Sequence, residues 1–195
     1  MNQLLNLFST PVYLELIDKN EFLNSKQDIL QFITDNPYKF INKWNCNTKS
    51  NIGSNFLQDS KSEKLKKIII STSKKYLNKL EIKCKNIRFD DLWINIAPLG
   101  AHQEPHSHLH YNVNNVFSGT LYININEHTG RLRFQHPNTL ISNLLPPLKH
   151  YPDHFDIDPQ EGLLVYFPSS LTHEVTPNNS NMDRISVSWN IQLEY

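Results

Sequence analysis

Four of the nine histidines, His102, His106, His108 and His110, fall within nine residues, where composition bias alone would scatter them. His106 and His108 stand two positions apart. Alternate side chains of a β-strand share a face, so both imidazoles would lie on one side with Cβ atoms roughly 6.5–7 Å apart. Two rings leaning inward can then share one ion at about 2.1 Å per metal–nitrogen bond, a length taken from zinc sites. A third ligand must come from elsewhere, and His173, in a short segment after Phe167-Pro168-Ser169-Ser170, is the candidate. Two close ligands and one remote ligand make a facial set with open positions for reactants. The usual non-haem iron set has two histidines and a carboxylate. Here His108 occupies the place of the acid, and three neutral imidazoles would leave the centre at the charge of the ion. His102-Gln103-Glu104 offers a competing His-x-Glu pair, so Glu104 stays open as an alternative third ligand. His102, His110, His128, His136, His150 and His154 are read as ordinary surface or core residues.

Arg184 follows His173 by eleven residues. A guanidinium facing a cavity without a partner is expensive to bury, and a bidentate carboxylate satisfies it. Ser186, two residues on, shares its face and can donate a hydroxyl to the same carboxylate. Tyr122, on the polar face of another expected strand, can add a phenol. The three read as a clamp for the far carboxylate of a dicarboxylic keto acid. The competing reading pairs Arg184 with an internal acid such as Asp156 or Asp158.

These residues need a scaffold, and the chain changes texture near residue 81. Before it, Phe22, Ile29, Leu30 and Ile33 recur at helical spacing within 20–35. Ser60-Lys61-Ser62-Glu63 reads as a capping box ahead of a helix carrying Leu65, Ile68, Ile69, Tyr76, Leu77 and Leu80. After it the period becomes two, with strands expected at 86–97, 116–126, 130–135, 161–168, 172–176 and 183–194. In the last, Ile185, Val187, Trp189, Ile191 and Leu193 alternate with Arg184, Ser186, Ser188 and Asn190. In 116–126, Phe117, Leu121, Ile123 and Ile125 alternate with Ser118, Thr120, Tyr122 and Asn124. A face of small polar residues with a single arginine suits a cavity between two sheets better than open water. The expected fold is therefore mainly β (α+β), a sandwich or jelly roll with N-terminal helices packed on one sheet. The organisation expected is one domain over 1–195, with 1–80 as helical support and 81–195 as the jelly-roll core.

Composition excludes several classes. With 19 basic and 19 acidic residues the net charge is zero, which argues against nucleic acid and against a polybasic membrane contact. No apolar run approaches the roughly 18 residues that span a bilayer. The N-terminus shows no basic stretch leading into an apolar run, so no signal peptide is expected. Cys46 and Cys84 read as reduced thiols, consistent with a cytoplasmic protein, phage-encoded origin included. A homodimer stays open.

The chain resembles the 2-oxoglutarate/Fe(II) oxygenases, specifically the small 2OG-Fe(II) oxygenases of bacteria and phages. The matching stretches are Pro105-His106-Ser107-His108, Phe117-Ser118-Gly119-Thr120-Leu121-Tyr122-Ile123 and Thr129-Gly130-Arg131-Leu132-Arg133-Phe134. They continue with Gly162-Leu163-Leu164-Val165-Tyr166-Phe167-Pro168-Ser169, His173-Glu174-Val175 and Arg184-Ile185-Ser186-Val187-Ser188-Trp189-Asn190. Their order is also similar to that of prolyl hydroxylases. The resemblance implies a double-stranded β-helix, Fe(II) at His106, His108 and His173, and 2-oxoglutarate as co-substrate at Arg184. It implies O2 as oxidant and hydroxylation of a small-molecule or peptidyl substrate with release of succinate and CO2. His-x-His replaces the commoner His-x-Asp of prolyl hydroxylases, and the longer segment after His108 would allow an alignment shifted towards His110.

Two rivals share the scaffold. One is a cupin-like three-His dioxygenase that uses no keto acid; the other is a non-catalytic jelly-roll binding module with a closed, structural metal. The Pro-containing connection 138–158 is long enough to be expected to lid the pocket. Because ligating histidines are neutral, metal occupancy is expected to fall below about pH 6.

Overall fold

The computed structural model describes residues 9–42, 46–89, 91–109, 114–138 and 152–195. Two helices, α1 (Lys19–Asp35) and α2 (Glu63–Lys79), pack on a twisted antiparallel sheet. Asp18 starts α1, its carboxylate accepting the backbone N–H groups of Asn20 and Glu21 at 2.8 and 3.1 Å, which satisfies two of the N–H groups a helix start leaves without intrahelical partners. The capping box expected at Ser60–Glu63 does not form. Ser60–Ser62 is a 3-10 turn capped by Asp59, and the Ser62 hydroxyl donates back to the carbonyls of Leu57 and Asp59.

The strands are β1 (Tyr13–Leu16), β2 (Ile41–Asn42), β3 (Lys49–Ser50), β4 (Asn86–Arg88), β5 (Leu92–Ala97) and β6 (Gln103–His106). Next come β7 (Phe117–Asn124), β8 (Leu132–Gln135), β9 (His154–Ile157), β10 (Leu163–Pro168), β11 (His173–Val175) and β12 (Arg184–Glu194). The larger sheet runs β1-β10-β7-β12-β5-β3-β2, with β4 beside the far end of β12. The smaller runs β6-β11-β8-β9. From β5 to β12 the strands alternate between the two sheets, except that β8 and β9 pair with each other in the smaller one, the order of a double-stranded β-helix and the expected jelly roll. The expected strand 86–97 is two strands, β4 and β5, both laid along the eleven residues of β12. The connection expected over 138–158 ends in a strand, since β9 joins the smaller sheet; residues 139–151 lie outside the described residues.

The alternation in β12 and β7 decides where the core and cavity sit. Ile185, Val187, Trp189 and Ile191 join Leu121 and Ile123 in the cluster between the larger sheet and the helices. Each such side chain, fully buried, contributes about 1.5–3 kcal/mol. The Tyr166 hydroxyl locks α2 to this sheet, donating to the carbonyl of Ile69 at 3.0 Å and bonding the hydroxyls of Thr72 and Ser73. A smaller cluster, including Tyr122, Leu132, Phe134, Val165 and Phe167, fills part of the space between the sheets. Arg184, Ser186 and Ser188 face that same space, with Arg184 and Ser186 buried. No helix of the described residues is long and apolar enough to cross a membrane.

Candidate metal centre

His106 ends β6 and His173 opens β11, and the two are direct cross-strand partners. His108 lies just beyond β6, so strand alternation alone does not place it. Its backbone N–H donates to the Ser169 carbonyl at 2.9 Å, which bends the chain back over the sheet. The result brings the three rings together. Centroids are 5.2 Å apart for His106–His108, 4.3 Å for His106–His173 and 4.9 Å for His108–His173. One nitrogen from each lies within 4.8 Å of the others. Glu104 is exposed and stands outside this group. His102 is also outside it, and His110 lies outside the described residues.

Hydrogen bonds select the tautomer of each ring. His106 Nδ1 meets the carbonyl of Glu104 at 2.7 Å and His173 Nδ1 meets the carbonyl of Leu171 at 2.9 Å. His108 Nδ1 meets Asn190 Oδ1 at 2.6 Å and Ser118 Oγ at 2.8 Å. A carbonyl oxygen only accepts, so each Nδ1 carries the proton and Nε2 is the unprotonated nitrogen, the arrangement that orients imidazoles towards a metal. Burial, followed by the neighbouring His106 and His108, pushes His173 down to about 3. Burial also lowers His106. Burial thus favours the neutral rings, the form a metal needs.

Arg184 opens β12 deep in the cavity, 4% exposed. Its Nη1 donates to Ser186 Oγ at 3.3 Å, and its guanidinium lies 5.1 Å from the centre of the Tyr122 ring. This is a cation–π contact, which holds the guanidinium over the ring. The internal acids considered for Arg184 are engaged elsewhere: Asp156 holds Arg133 through two bonds of 2.7 and 2.9 Å, and Asp158 pairs with Arg131. Among the described residues, Arg184 Nε and the Tyr122 hydroxyl are buried and make no hydrogen bond of good geometry, although the two side chains lie against each other. Asn95 Oδ1, which lines the same inner slot from β5, is likewise buried without such a bond. Sequence reasoning passed over Asn95, although a lone amide inside Leu92-Trp93-Ile94-Asn95-Ile96-Ala97 was a visible signal. Outside the slot, between Ile52, Trp93 and the His106–His108 stretch, a vestibule of about 360 Å³ opens to solvent.

Residues 91–190, just over half of the chain, match the model of the family described as "Putative 2OG-Fe(II) oxygenase". The chain belongs to the 2OG-Fe(II) oxygenases. It is accordingly a 2-oxoglutarate- and Fe(II)-dependent dioxygenase. Solved structures of this oxygenase fold resemble it over nearly its full length. A Pseudomonas putida prolyl-4-hydroxylase is 15% identical with a TM-score of 0.67, over 96% of this chain and 94% of that one. A Trichoplax adhaerens prolyl hydroxylase, in complex with a hypoxia-inducible-factor peptide fragment, is 16% identical with a TM-score of 0.65, over 92% and 82%. The α-ketoglutarate-dependent epimerase SnoN of nogalamycin biosynthesis is 12% identical with a TM-score of 0.68, over 94% and 78%. No curated protein matches in sequence.

The residues present fit the family's metal and keto acid. The donor set is three imidazoles with their Nδ1 protons engaged, and the slot beside them holds an unpaired guanidinium that needs an anion.

Proposed function

We propose that His106, His108 and His173 hold Fe(II) through their Nε2 atoms, and that Arg184, Ser186 and Tyr122 hold the far carboxylate of 2-oxoglutarate. The reaction proposed is hydroxylation of a small-molecule or peptidyl substrate, with succinate and CO2 as co-products. The whole chain acts as one oxygenase domain, residues 1–80 supporting the jelly-roll core. One observation carries the reading: a buried guanidinium with no carboxylate partner among the described residues lines the same slot as three converging imidazoles.

When bound, iron and 2-oxoglutarate supply the activation of O2. The protein's own work is ligation, orientation and exclusion of water. Arg184 Nη1 is already aligned by Ser186, and Nε with Nη2 forms the side-on N–H pair that a bidentate carboxylate takes. The Tyr122 ring keeps the guanidinium in place, and its hydroxyl is available to donate to the same carboxylate. Three neutral ligands leave the full ion charge, which together with the Arg184 guanidinium favours a dianionic co-substrate. Substrate would enter by the vestibule beside Trp93, on the opposite side of the imidazoles from Arg184. The prolyl hydroxylases among the structural neighbours support hydroxylation as the outcome.

Anaerobic titration of the Fe(II) protein with 2-oxoglutarate tests the assignment. A saturable metal-to-ligand charge-transfer band in the visible is expected, followed by succinate once O2 and substrate are added. Fe(II) binding with no band, and turnover without succinate, would instead favour a three-His dioxygenase that needs no keto acid.

A further inference from the structure

His106 and His173 are anchored by backbone carbonyls of their own neighbourhoods, Glu104 and Leu171. His108 is anchored differently. Its Nδ1 reaches side chains on two strands of the opposite sheet, Asn190 Oδ1 on β12 at 2.6 Å and Ser118 Oγ on β7 at 2.8 Å. Asn190 and Ser118 are cross-strand partners. The Ser118 hydroxyl donates to Asn190 Oδ1 at 2.8 Å and bonds Ser169 Oγ at 2.9 Å. Ser118 and Ser169 are fully buried. The Ser169 carbonyl accepts the His108 backbone N–H. One connected set of polar groups therefore fixes both the backbone and the ring of His108. Such sets are rigid when every member is satisfied.

We propose that Asn190 is a positioning residue that makes His108 a neutral metal ligand and, by doing so with an amide, keeps extra negative charge away from the metal. The inference rests on the metal reading of the three imidazoles. Oδ1 only accepts, so it places the proton on Nδ1 and the lone pair on Nε2, towards His106 and His173. A carboxylate in the same place would also orient the ring, but it would raise the ring's basicity and partly neutralise the centre. The two functions of an outer partner, orientation and charge, thus separate at this position. Orientation serves metal affinity, and absence of charge serves binding of a dianion.

Co(II) reports both. Its affinity and visible ligand-field bands are measured anaerobically in the full-length protein, and 2-oxoglutarate affinity is then measured on the Co(II)-loaded form. Asn190→Leu removes the acceptor: a weakening of Co(II) binding by about 10–100-fold, the range for lost outer-shell partners, is expected with shifted bands. Asn190→Asp is isosteric and keeps the acceptor: Co(II) affinity at or above that of the natural protein is expected, together with weaker 2-oxoglutarate binding. A purely structural role for Asn190 would not push the two affinities in opposite directions. Should Asn190→Leu fail to fold, Asn190→Asp alone decides. The inference is overturned if Asn190→Asp leaves both affinities unchanged, or loses Co(II) affinity, while His106→Ala and His173→Ala abolish Co(II) binding. If His106→Ala and His173→Ala bind Co(II) like the natural protein, the metal centre itself is wrong, and the inference falls with it.

Discussion

The two ends of the cavity differ in how complete they are. At the imidazole end each Nδ1 proton already meets an oxygen of the protein, at 2.6–2.9 Å. At the guanidinium end Arg184 Nε, the Tyr122 hydroxyl and Asn95 Oδ1 are buried and, among the described residues, make no hydrogen bond of good geometry. The first end is preorganised, and an ion converging there has only to displace the Gln103 amide, 3.4 Å from His106 Nε2. The second is left unfinished at a cost in stability, and a ligand carrying a carboxylate would complete it. Buried polar groups are normally satisfied, so the unfinished end marks where binding energy is to be gained.

The largest effects should come from breaking the finished end. His173→Ala or His106→Ala removes a converging nitrogen, and the loss of Fe(II) or Co(II) affinity measured by titration should exceed the roughly 100-fold upper range for an outer-shell partner. Arg184→Leu separates the two ends next. It should weaken 2-oxoglutarate binding by about 2–5 kcal/mol, the range for removing one partner of a buried charge pair, with metal affinity retained. The ligand-free variant should meanwhile melt at a higher temperature, because replacing buried ionic groups by apolar ones often gains about 1–4 kcal/mol. A lower melting temperature would mean that Arg184 is satisfied within the fold.

Acid sharpens the contrast without mutation. Burial holds His173 well below its unfolded value, at about 3, so the folded metal-free protein refuses a proton that the unfolded chain accepts. Stability is therefore full above the unfolded pKa of about 6.5 and declines as pH falls towards the folded value, by at most about 1.4 kcal/mol per pH unit for this group. Asp156 is held below the usual carboxylate range, chiefly by its hydrogen bonds from Arg133. Urea melts of metal-free protein between pH 6.5 and 4.5 should show the decline, and His173→Asn should reduce it, with a remainder from His106, which burial also lowers; equal slopes in both proteins would assign the decline elsewhere. The smallest effect belongs to Tyr122→Phe. The cation–π contact survives and one hydroxyl bond is lost, so 2-oxoglutarate affinity should fall by about 0.5–1.5 kcal/mol, with no loss of ligand-free stability.

Period-two alternation made the long strands and their polar inner face readable, because residues that line a cavity follow the same geometry as residues that fill a core. It did not reveal β1, β2 or β3. The last two span only two residues each, and β1 leaves Leu14 and Leu16 half exposed at the sheet edge. Nor did it show that 86–97 breaks into two strands, since that depends on β12 being long enough to pair with both. At the site, His-x-His named two of the converging rings, yet for a reason only partly right: His108 lies past the end of β6 and is held by Ser169, Ser118 and Asn190. Those partners are distant in sequence and of common type, so only the register of β7 against β12 brings them to the imidazole.

The most direct test of the whole account is a crystal structure of the protein grown anaerobically with Mn(II) and 2-oxoglutarate. The account predicts one ion bound by the Nε2 atoms of His106, His108 and His173, with the far carboxylate of the diacid bridging Arg184 and Ser186. An ion bound elsewhere, a carboxylate ligand such as Glu104 in place of His108, or a protein acid occupying Arg184 would contradict it.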